Sequence, residues 1–464
     1  VSSTIDIRRL DGERESIARE SVRRLNESLQ GRVFQDDSPE YEEARVIWNA
    51  MVDRRPALIA CCRTAEDVQR VVTFAREYDI LLAVRGGGHS FPGHSTCDGG
   101  LVLDLSAMKR ITIDPTARTV RAEAGLRWSE LDAATQQYGR AVTGGQVSHT
   151  GIAGLTVGGG IGWLARQFGL TIDHLQGANV VTADGALQRA APESDSELFW
   201  AIRGGGGNFG VVTAFDYRLD EIGPLVTVAQ IAYPIQEAAT VFGKGEELLV
   251  RSPDSLTGTF AFLHTPEGIP LAALTLVSTA SEPEAVRQIA PFRAIGLPIF
   301  EELVRVPYTA LQSMMDQIAP IGLRYYARSN LLDELAPEII EPLAAAYQAV
   351  PSPQSLMLFV RLGGAVARVG PSDTAFPHRQ RSWSLTALGI WTDPADDRDN
   401  TRWIRETWDL LPSLPDAVYV NELADEGSAR VRAAYGLNYP RLTTLKQKYD
   451  PNNLFRLNQN IVPA

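Results

Sequence analysis

The alternation of apolar and polar positions divides the first half of the chain into short elements. Thr64 and Asp67 resemble a capping box, opening a helix whose apolar positions Val68, Val71, Val72 and Ala75 recur at helical spacing. The apolar run Ile80 to Val84 predicts a buried strand that leads straight into Arg85-Gly86-Gly87-Gly88-His89-Ser90, and Leu101 to Leu105 predicts another. Ile111–Asp114 and Thr119–Ala124 flank Pro115-Thr116 as a hairpin, and Val180–Thr182 and Ala186–Gln188 flank the stronger turn signal Asp184-Gly185. Trp128 to Tyr138 predicts a helix stopped by Gly139, and Val211 to Leu219 alternates as a strand.

After Ile222-Gly223-Pro224 glycine thins out. Strand-like runs such as Leu271–Val277 and Leu356–Leu362 alternate with helical ones such as Pro283–Ala290, whose proline suits a first helical position. The expectation is an α+β protein in which residues 223–424 form a second domain of antiparallel sheet and helices. The C-terminal residues carry their own turn signals, Tyr435-Gly436 and Asp450-Pro451-Asn452-Asn453. The first thirty-odd residues, dense in charge, predict an amphipathic helix lying as a solvated arm or outer layer.

The length of 464 residues exceeds what one core usually serves, which favours two domains. Apolar residues at 44% and charged residues at 22% are those of a packed globular chain. A net charge of −12 argues against a broad nucleic-acid surface, and no apolar run is long enough to span a membrane. Cys61, Cys62 and Cys97 are too few to staple the chain and are expected as reduced thiols. The opening Val1-Ser2-Ser3-Thr4 has no apolar signal core, which favours a cytoplasmic location, with a secreted one open if a leader has been trimmed.

Glycine carries the chemistry. Of the 39 glycines, 24 fall between residues 85 and 210, with no fixed period, so this backbone either turns repeatedly or approaches something closely. Successive freed N–H groups form anion cradles suited to a pyrophosphate, although any one such loop is equally a surface turn. Gly205, Gly207 and Gly210 match G-x-G-x-x-G, but a strand follows where a dinucleotide fold needs a helix. No phosphate-binding G-x-x-x-x-G-K-[ST], no G-x-S-x-G elbow and no zinc spacing among the six histidines occurs, so no metal is expected. His89 stands on a glycine loop directly after a buried strand; it is either a satisfied structural histidine or a group held beside the loop's ligand.

Several motifs in order carry a family resemblance. Arg85-Gly86-Gly87-Gly88-His89-Ser90, Gly151-Ile152-Ala153-Gly154 through Gly158-Gly159-Gly160-Ile161-Gly162, Phe199-Trp200 through Asn208-Phe209-Gly210, and the ending Lys448-Tyr449-Asp450-Pro451-Asn452-Asn453 to Asn458-Gln459-Asn460 resemble the berberine bridge enzyme-like FAD-linked oxidases of the vanillyl-alcohol oxidase superfamily. The resemblance implies a two-subdomain PCMH-type FAD-binding domain, residues 1–222 with 425–464 returning to it, and a substrate domain at 223–424. It implies FAD bonded through its 8α-methyl to His89. Val147 stands where doubly attached members have a cysteine, so the linkage is expected to be single.

The resemblance also implies the site. Arg85, Gly86, Gly87, Gly88, Ser90, Thr150, Gly151, Gly154, Gly158, Gly159, Gly160, Gly162, Asn208, Gly210, Asn458 and Asn460 are expected around the cofactor. Thr150 occupies the oxygen-gating position, where valine goes with oxidases and leucine with dehydrogenases; its size favours an oxidase. A general base is required as a hydroxylated substrate loses hydride. Tyr439 and then Tyr435 are the candidates, or else are packing aromatics. Arg361 is placed either on the substrate or on the sheet surface, and Tyr325, Tyr326, His378 and Trp391 are candidate pocket residues. The expected activity is oxidation of a hydroxyl- or amine-bearing small molecule with O2 reduced to H2O2, by a monomer or homodimer. The alternatives are a dehydrogenase using a quinone-type acceptor and a flavin-retaining binding protein without turnover.

Overall fold

A computed structural model describes residues 3–412 and 414–464; Val1 and Ser2, at the sequence start, lie outside the described residues. The architecture is α+β, as expected. A four-stranded sheet runs in the order Arg32–Phe34, Leu58–Cys61, Leu101–Asp104, Leu82–Arg85, with its last three strands parallel. Parallel neighbours need a crossover, and the helix Ala65–Glu77 supplies one, started by Thr64, whose hydroxyl accepts from the Asp67 N–H. Beside it lies a five-stranded antiparallel sheet built on Leu175–Val181, Val211–Arg218 and Thr119–Glu123. Both predicted hairpins belong to this sheet.

The largest sheet has seven antiparallel strands in the order Phe300–Pro307, Leu225–Pro234, Pro270–Ser278, Leu256–His264, Leu356–Arg361, Trp383–Trp391, Arg324–Leu332. Its strands divide their side chains strictly by parity. Met357, Phe359, Leu385 and Ala387 enter a core with the helices Ala238–Arg251, Glu282–Arg293, Pro337–Tyr347 and Asp397–Asp409. Leu358, Val360, Thr386 and Leu388 face the other way, onto a cavity shared with the glycine loops.

The C-terminal helices Ser428–Tyr435 and Tyr439–Tyr449 pack into the same core as the two smaller sheets, and so do Ala417 to Val420. Buried Lys446 anchors them: its Nζ donates to Asp450 Oδ2 at 2.7 Å and to the Asn208 and Phe455 carbonyls at 2.9 and 3.0 Å.

The N-terminal expectation of a single amphipathic helix requires correction. Thr4–Arg8 and Arg14–Ala18 form an antiparallel hairpin, and only Arg19–Ser28 is helical. Ile5, Ile7 and Ile17 are β-branched and alternate, and Gly12 takes a φ of 92° that few other residues tolerate, so Asp11-Gly12 turns the chain. Ile7, Ile17, Val22 and Leu25 are buried while most of their neighbours are exposed, so the segment is the outer layer, one of the two expected placements, and not a solvated arm.

Candidate active site

Two glycine loops touch backbone to backbone. The strand Leu82–Arg85 feeds the loop Gly86–Ser90, while a bridge between Arg127 and Gly151 holds the start of the helix Ile152–Gly158 beside it. A Cβ on Gly87 would lie 2.3 Å from the Gly151 nitrogen, and one on Gly151 equally close to the Gly87 nitrogen. Around this contact opens a cavity of about 410 Å³. Its walls are the glycine loops, the Gly206–Gly210 turn and C-terminal residues such as Tyr435 and Asn458 on one side, and the even-numbered positions of the large sheet on the other.

The residues present fit a dinucleotide. A Cβ at Gly154 or Gly207 would meet no protein atom within 4 Å, and both residues line the cavity, so side chains there would fill the ligand's space. Ser95 Oγ and Asn458 Oδ1 also belong to cavity-lining residues and are buried without a hydrogen-bond partner, an arrangement that native structures rarely leave uncompensated. Among the described residues no lysine or arginine lines the cavity. A pyrophosphate is therefore left to backbone N–H groups and hydroxyls.

His89 is held on two sides. Its ring stacks on Trp48, with centroids 4.3 Å apart and planes 18° from parallel, and Trp48 stacks in turn on Tyr325 at 3.8 Å. Nε2 lies 2.8 Å from Nδ1 of His149. Burial, reinforced by the neighbouring His149 and Arg127, holds the His89 imidazole well below its usual range, so it is neutral.

The carboxyl on the wall is Glu422. It ends the short turn Val420–Glu422, accepts from Ser384 Oγ at 2.8 Å and stands near Thr386 on the cavity face of the sheet. Burial raises its pKa to about 7, with the Ser384 and Thr386 hydroxyls opposing that rise. Leu358, Val360, Leu388 and Val420 make the surrounding wall apolar. A carboxyl poised near neutrality beside an apolar wall is suited to accept a proton from an uncharged substrate. The sequence carried a signal for it: Glu422 interrupts the largely apolar run Ala417–Ala424.

The structure brings many of the predicted cofactor residues together: Gly86, Gly87, Gly88, His89, Ser90, Val147, Thr150, Gly151, Gly154, Gly210 and Asn458 all line the cavity. Others do not. Arg85 is buried against Asp104 at 2.7 Å. Gly158, Gly160 and Gly162 are packing glycines, where a Cβ would strike Asn421, Thr171 and the Gly144 carbonyl, and Gly159 faces Tyr419 and Phe376. Asn208 ties the glycine turn to the C-terminus through the Gly205 and Gln459 carbonyls and the Ile461 N–H, and Asn460 lies off the wall.

The predicted catalytic and substrate residues are largely displaced. Tyr439 lies off the cavity, packed on Tyr435 and under Arg432. Tyr435 reaches the wall, but its hydroxyl is spent on the Gly205 and Gln459 carbonyls and burial pushes its pKa up, the wrong direction for a phenolate base. Arg361 has the parity of Phe359 and points to the helical core, 3.6 Å from Glu246 and over Trp383. Trp391 shares that face and donates to Asp397. Tyr326 meets Arg405 on the outer helix, and His378 Nε2 hydrogen-bonds the Ala433 carbonyl at 2.8 Å. Tyr325 backs Trp48 without reaching the cavity, its hydroxyl donating to the Pro320 carbonyl.

Comparison with known proteins agrees with this geometry. Residues 56–191 match the FAD binding domain family, and residues 418–462 match the berberine and berberine-like family. An FAD-linked oxidoreductase of Dictyostelium discoideum is 34% identical over 452 residues, covering 96% of this chain and 98% of that protein. The chain belongs to the berberine bridge enzyme-like family of FAD-linked oxidoreductases. Within this family, (R)-6-hydroxynicotine oxidase of Paenarthrobacter nicotinovorans is 28% identical over 94% of this chain and 97% of its own length. The crystal structure of 6-hydroxy-D-nicotine oxidase from Arthrobacter nicotinovorans superposes with a TM-score of 0.86 at 26% identity, covering 94% of this chain and 99% of that one. As a family member the chain is an FAD-linked oxidoreductase. Among the described residues, no helix is long and apolar enough to cross a membrane.

Proposed function

We propose that this chain is an oxidase that removes hydride from an apolar, uncharged carbinol or amine and delivers the electrons to O2 as H2O2, with FAD tethered through His89 alone. The observation that carries the reading is Glu422, a carboxyl with a pKa of about 7 on a wall made chiefly of Leu358, Val360, Leu388 and Val420. Bound FAD supplies the two-electron acceptor. Glu422 accepts the O–H or N–H proton as the substrate carbon gives up its hydride, and Ser384 keeps the carboxylate oriented by donating to Oε2. Gln146, whose Nε2 donates to Thr259 Oγ1 at 3.1 Å, offers the cavity a second polar contact.

A sugar chain would bring a hydroxyl on nearly every carbon, each needing a partner when desolvated. The aliphatic wall supplies few, which favours a compact terpenoid, alicyclic or aromatic substrate. Val147, lining the cavity, has no thiol to form a second tether, and Thr150, also on the wall, has the compact side chain expected of an oxidase. The test is anaerobic bleaching of the purified yellow protein across a panel of apolar secondary alcohols and cyclic amines, followed by admission of air. Rapid reoxidation with stoichiometric H2O2 is expected. Reduced flavin that persists in air for minutes and reoxidises with a quinone would make the protein a dehydrogenase.

A further inference from the structure

We infer that the chain forms a two-fold homodimer by pairing the edge strand Phe300–Pro307 with the same strand of a second copy, so that the seven-stranded sheet runs on into its counterpart.

Phe300–Pro307 is the terminal strand of the large sheet and is paired on one side, with Leu225–Pro234. The Tyr308 N–H donates to the Pro224 carbonyl, and inward and outward bonding alternate along an antiparallel strand. The backbone groups of Glu302, Val304 and Val306 therefore bond into the sheet, and those of Glu301, Leu303 and Arg305 face outward. A row of outward N–H and C=O groups is a template for another strand, which single-chain proteins commonly blunt by keeping the edge short or placing proline in it. Here the strand has eight residues, with its one proline at the far end. It also begins in an apolar patch: Leu297, Ile299 and Phe300 are 86%, 57% and 50% exposed. Such a patch beside an unpaired edge is a surface suited to a partner.

Two-fold pairing of the outward groups allows few registers, and the side chains choose among them. With Leu303 opposite Leu303 of the second copy, Glu301 faces Arg305 and Arg305 faces Glu301, while Phe300 faces Val306 across the other side of the sheet. Moving the centre by one residue loses this match. Centring on Glu302 sets that carboxylate against its own copy, and centring on Val304 sets Leu303 against Arg305 and Glu301 against Pro307. Opposite charges and apolar side chains directly across a strand pair stabilise it, and like charges oppose it.

The helix Glu282–Arg293 reinforces the same register. Its Arg293 pairs with Glu301, and its Glu282 with Arg305 at 2.9 Å. Across the two-fold axis these become a row of alternating sign, Arg293 and Glu301 of one copy followed by Arg305 and Glu282 of the other, repeated by symmetry. Both central side chains are already restrained by their own helix, so the new contact orders little that was free. A foreign strand would have to carry the same alternation of charge, which a second copy supplies by symmetry alone.

The experiment is sedimentation of the full chain with its FAD bound, over a dilution series. The wild type is expected at twice the 50.7 kDa mass of one chain, dissociating on dilution. Glu301→Arg and Arg305→Glu each set like charges across both halves of the interface and are expected to raise the dissociation constant by about 10²-fold or more. Mixed together, the two variants oppose unlike charges at both halves again and are expected to pair with each other as the wild type does with itself. A wild type that sediments as a single chain at every concentration, variants that dimerise undiminished, or a mixture that stays dissociated would overturn the pairing. Amide exchange needs no variant and decides the matter if either one fails to fold. The N–H groups of Glu301, Leu303 and Arg305 are expected to exchange slowly in concentrated protein and faster on dilution, and exchange that is fast at both concentrations would equally overturn it.

Discussion

The indole of Trp48 stacks on the imidazole of His89 with ring centroids 4.3 Å apart, while its Nε1 donates to the carbonyl of Ala319, 271 residues further along the chain. One side chain thus couples the glycine loop to the segment that precedes the strand Arg324–Leu332. Trp48→Phe keeps an aromatic face for His89 but leaves the Ala319 carbonyl without that donor. The expected cost is about 1–3 kcal/mol, read as a lower midpoint in urea unfolding, with FAD still bound.

Glu422 should govern the pH profile. The carboxyl must be ionised to accept a proton, so the rate of flavin reduction is expected to rise about tenfold per pH unit up to about 7 and to level off above it. Glu422→Gln should lower that rate by about 10²–10⁴-fold with FAD content unchanged. Anaerobic stopped-flow reduction from pH 5 to 9 measures both. A flat profile or an undiminished rate in the variant would remove the carboxyl from the chemistry.

Gly154 separates fold from cofactor. It sits within the helix Ile152–Gly158, where alanine is preferred by up to about 1 kcal/mol, and its absent side chain faces open cavity. Gly154→Val is expected to fold yet fail to retain FAD, giving a colourless chain with native far-ultraviolet circular dichroism. A yellow Gly154→Val variant would show that the ligand does not come close to this helix.

Much of this was legible in the sequence for definite reasons. Periodicity and turn chemistry give the hairpins at 111–124 and 180–188 and the helix opened by Thr64, because these are local. The glycine loops and His89 were readable because so many glycines in one stretch require close backbone approach. What was not readable depends on parity and packing. Arg361 lies one residue from the cavity-facing Val360, and a shift of one along a strand exchanges the two faces of the sheet. Gly158, Gly160 and Gly162 have the same composition as the cradle, but the atoms they accommodate, in Asn421, Thr171 and Gly144, are set by tertiary contacts. Glu422 and Trp48 reach the site from opposite ends of the chain, a juxtaposition that only the assembled sheets create.

Asp132 provides a stability test away from the site. Fully buried, with Gln312 Nε2 donating to Oδ2 at 2.9 Å, its carboxyl is pushed by burial up to about 7. In the unfolded chain it ionises near 4. The fold therefore holds a proton that the unfolded chain has lost between these values, and stability should decline as pH rises from about 4 to 7 and then level off. Asp132→Asn should flatten that decline and exceed the wild type at pH 8 by about 1–3 kcal/mol, measured by urea unfolding at pH 4, 6 and 8.

The most direct measurement is mass spectrometry of the peptide containing His89 after denaturation and proteolysis of the yellow protein. This peptide alone is expected to carry the mass of FAD, bonded to the imidazole, and His89→Ala to release all its flavin on denaturation. An unmodified His89 peptide from fully flavin-loaded protein, or a flavin found on another residue, would contradict it.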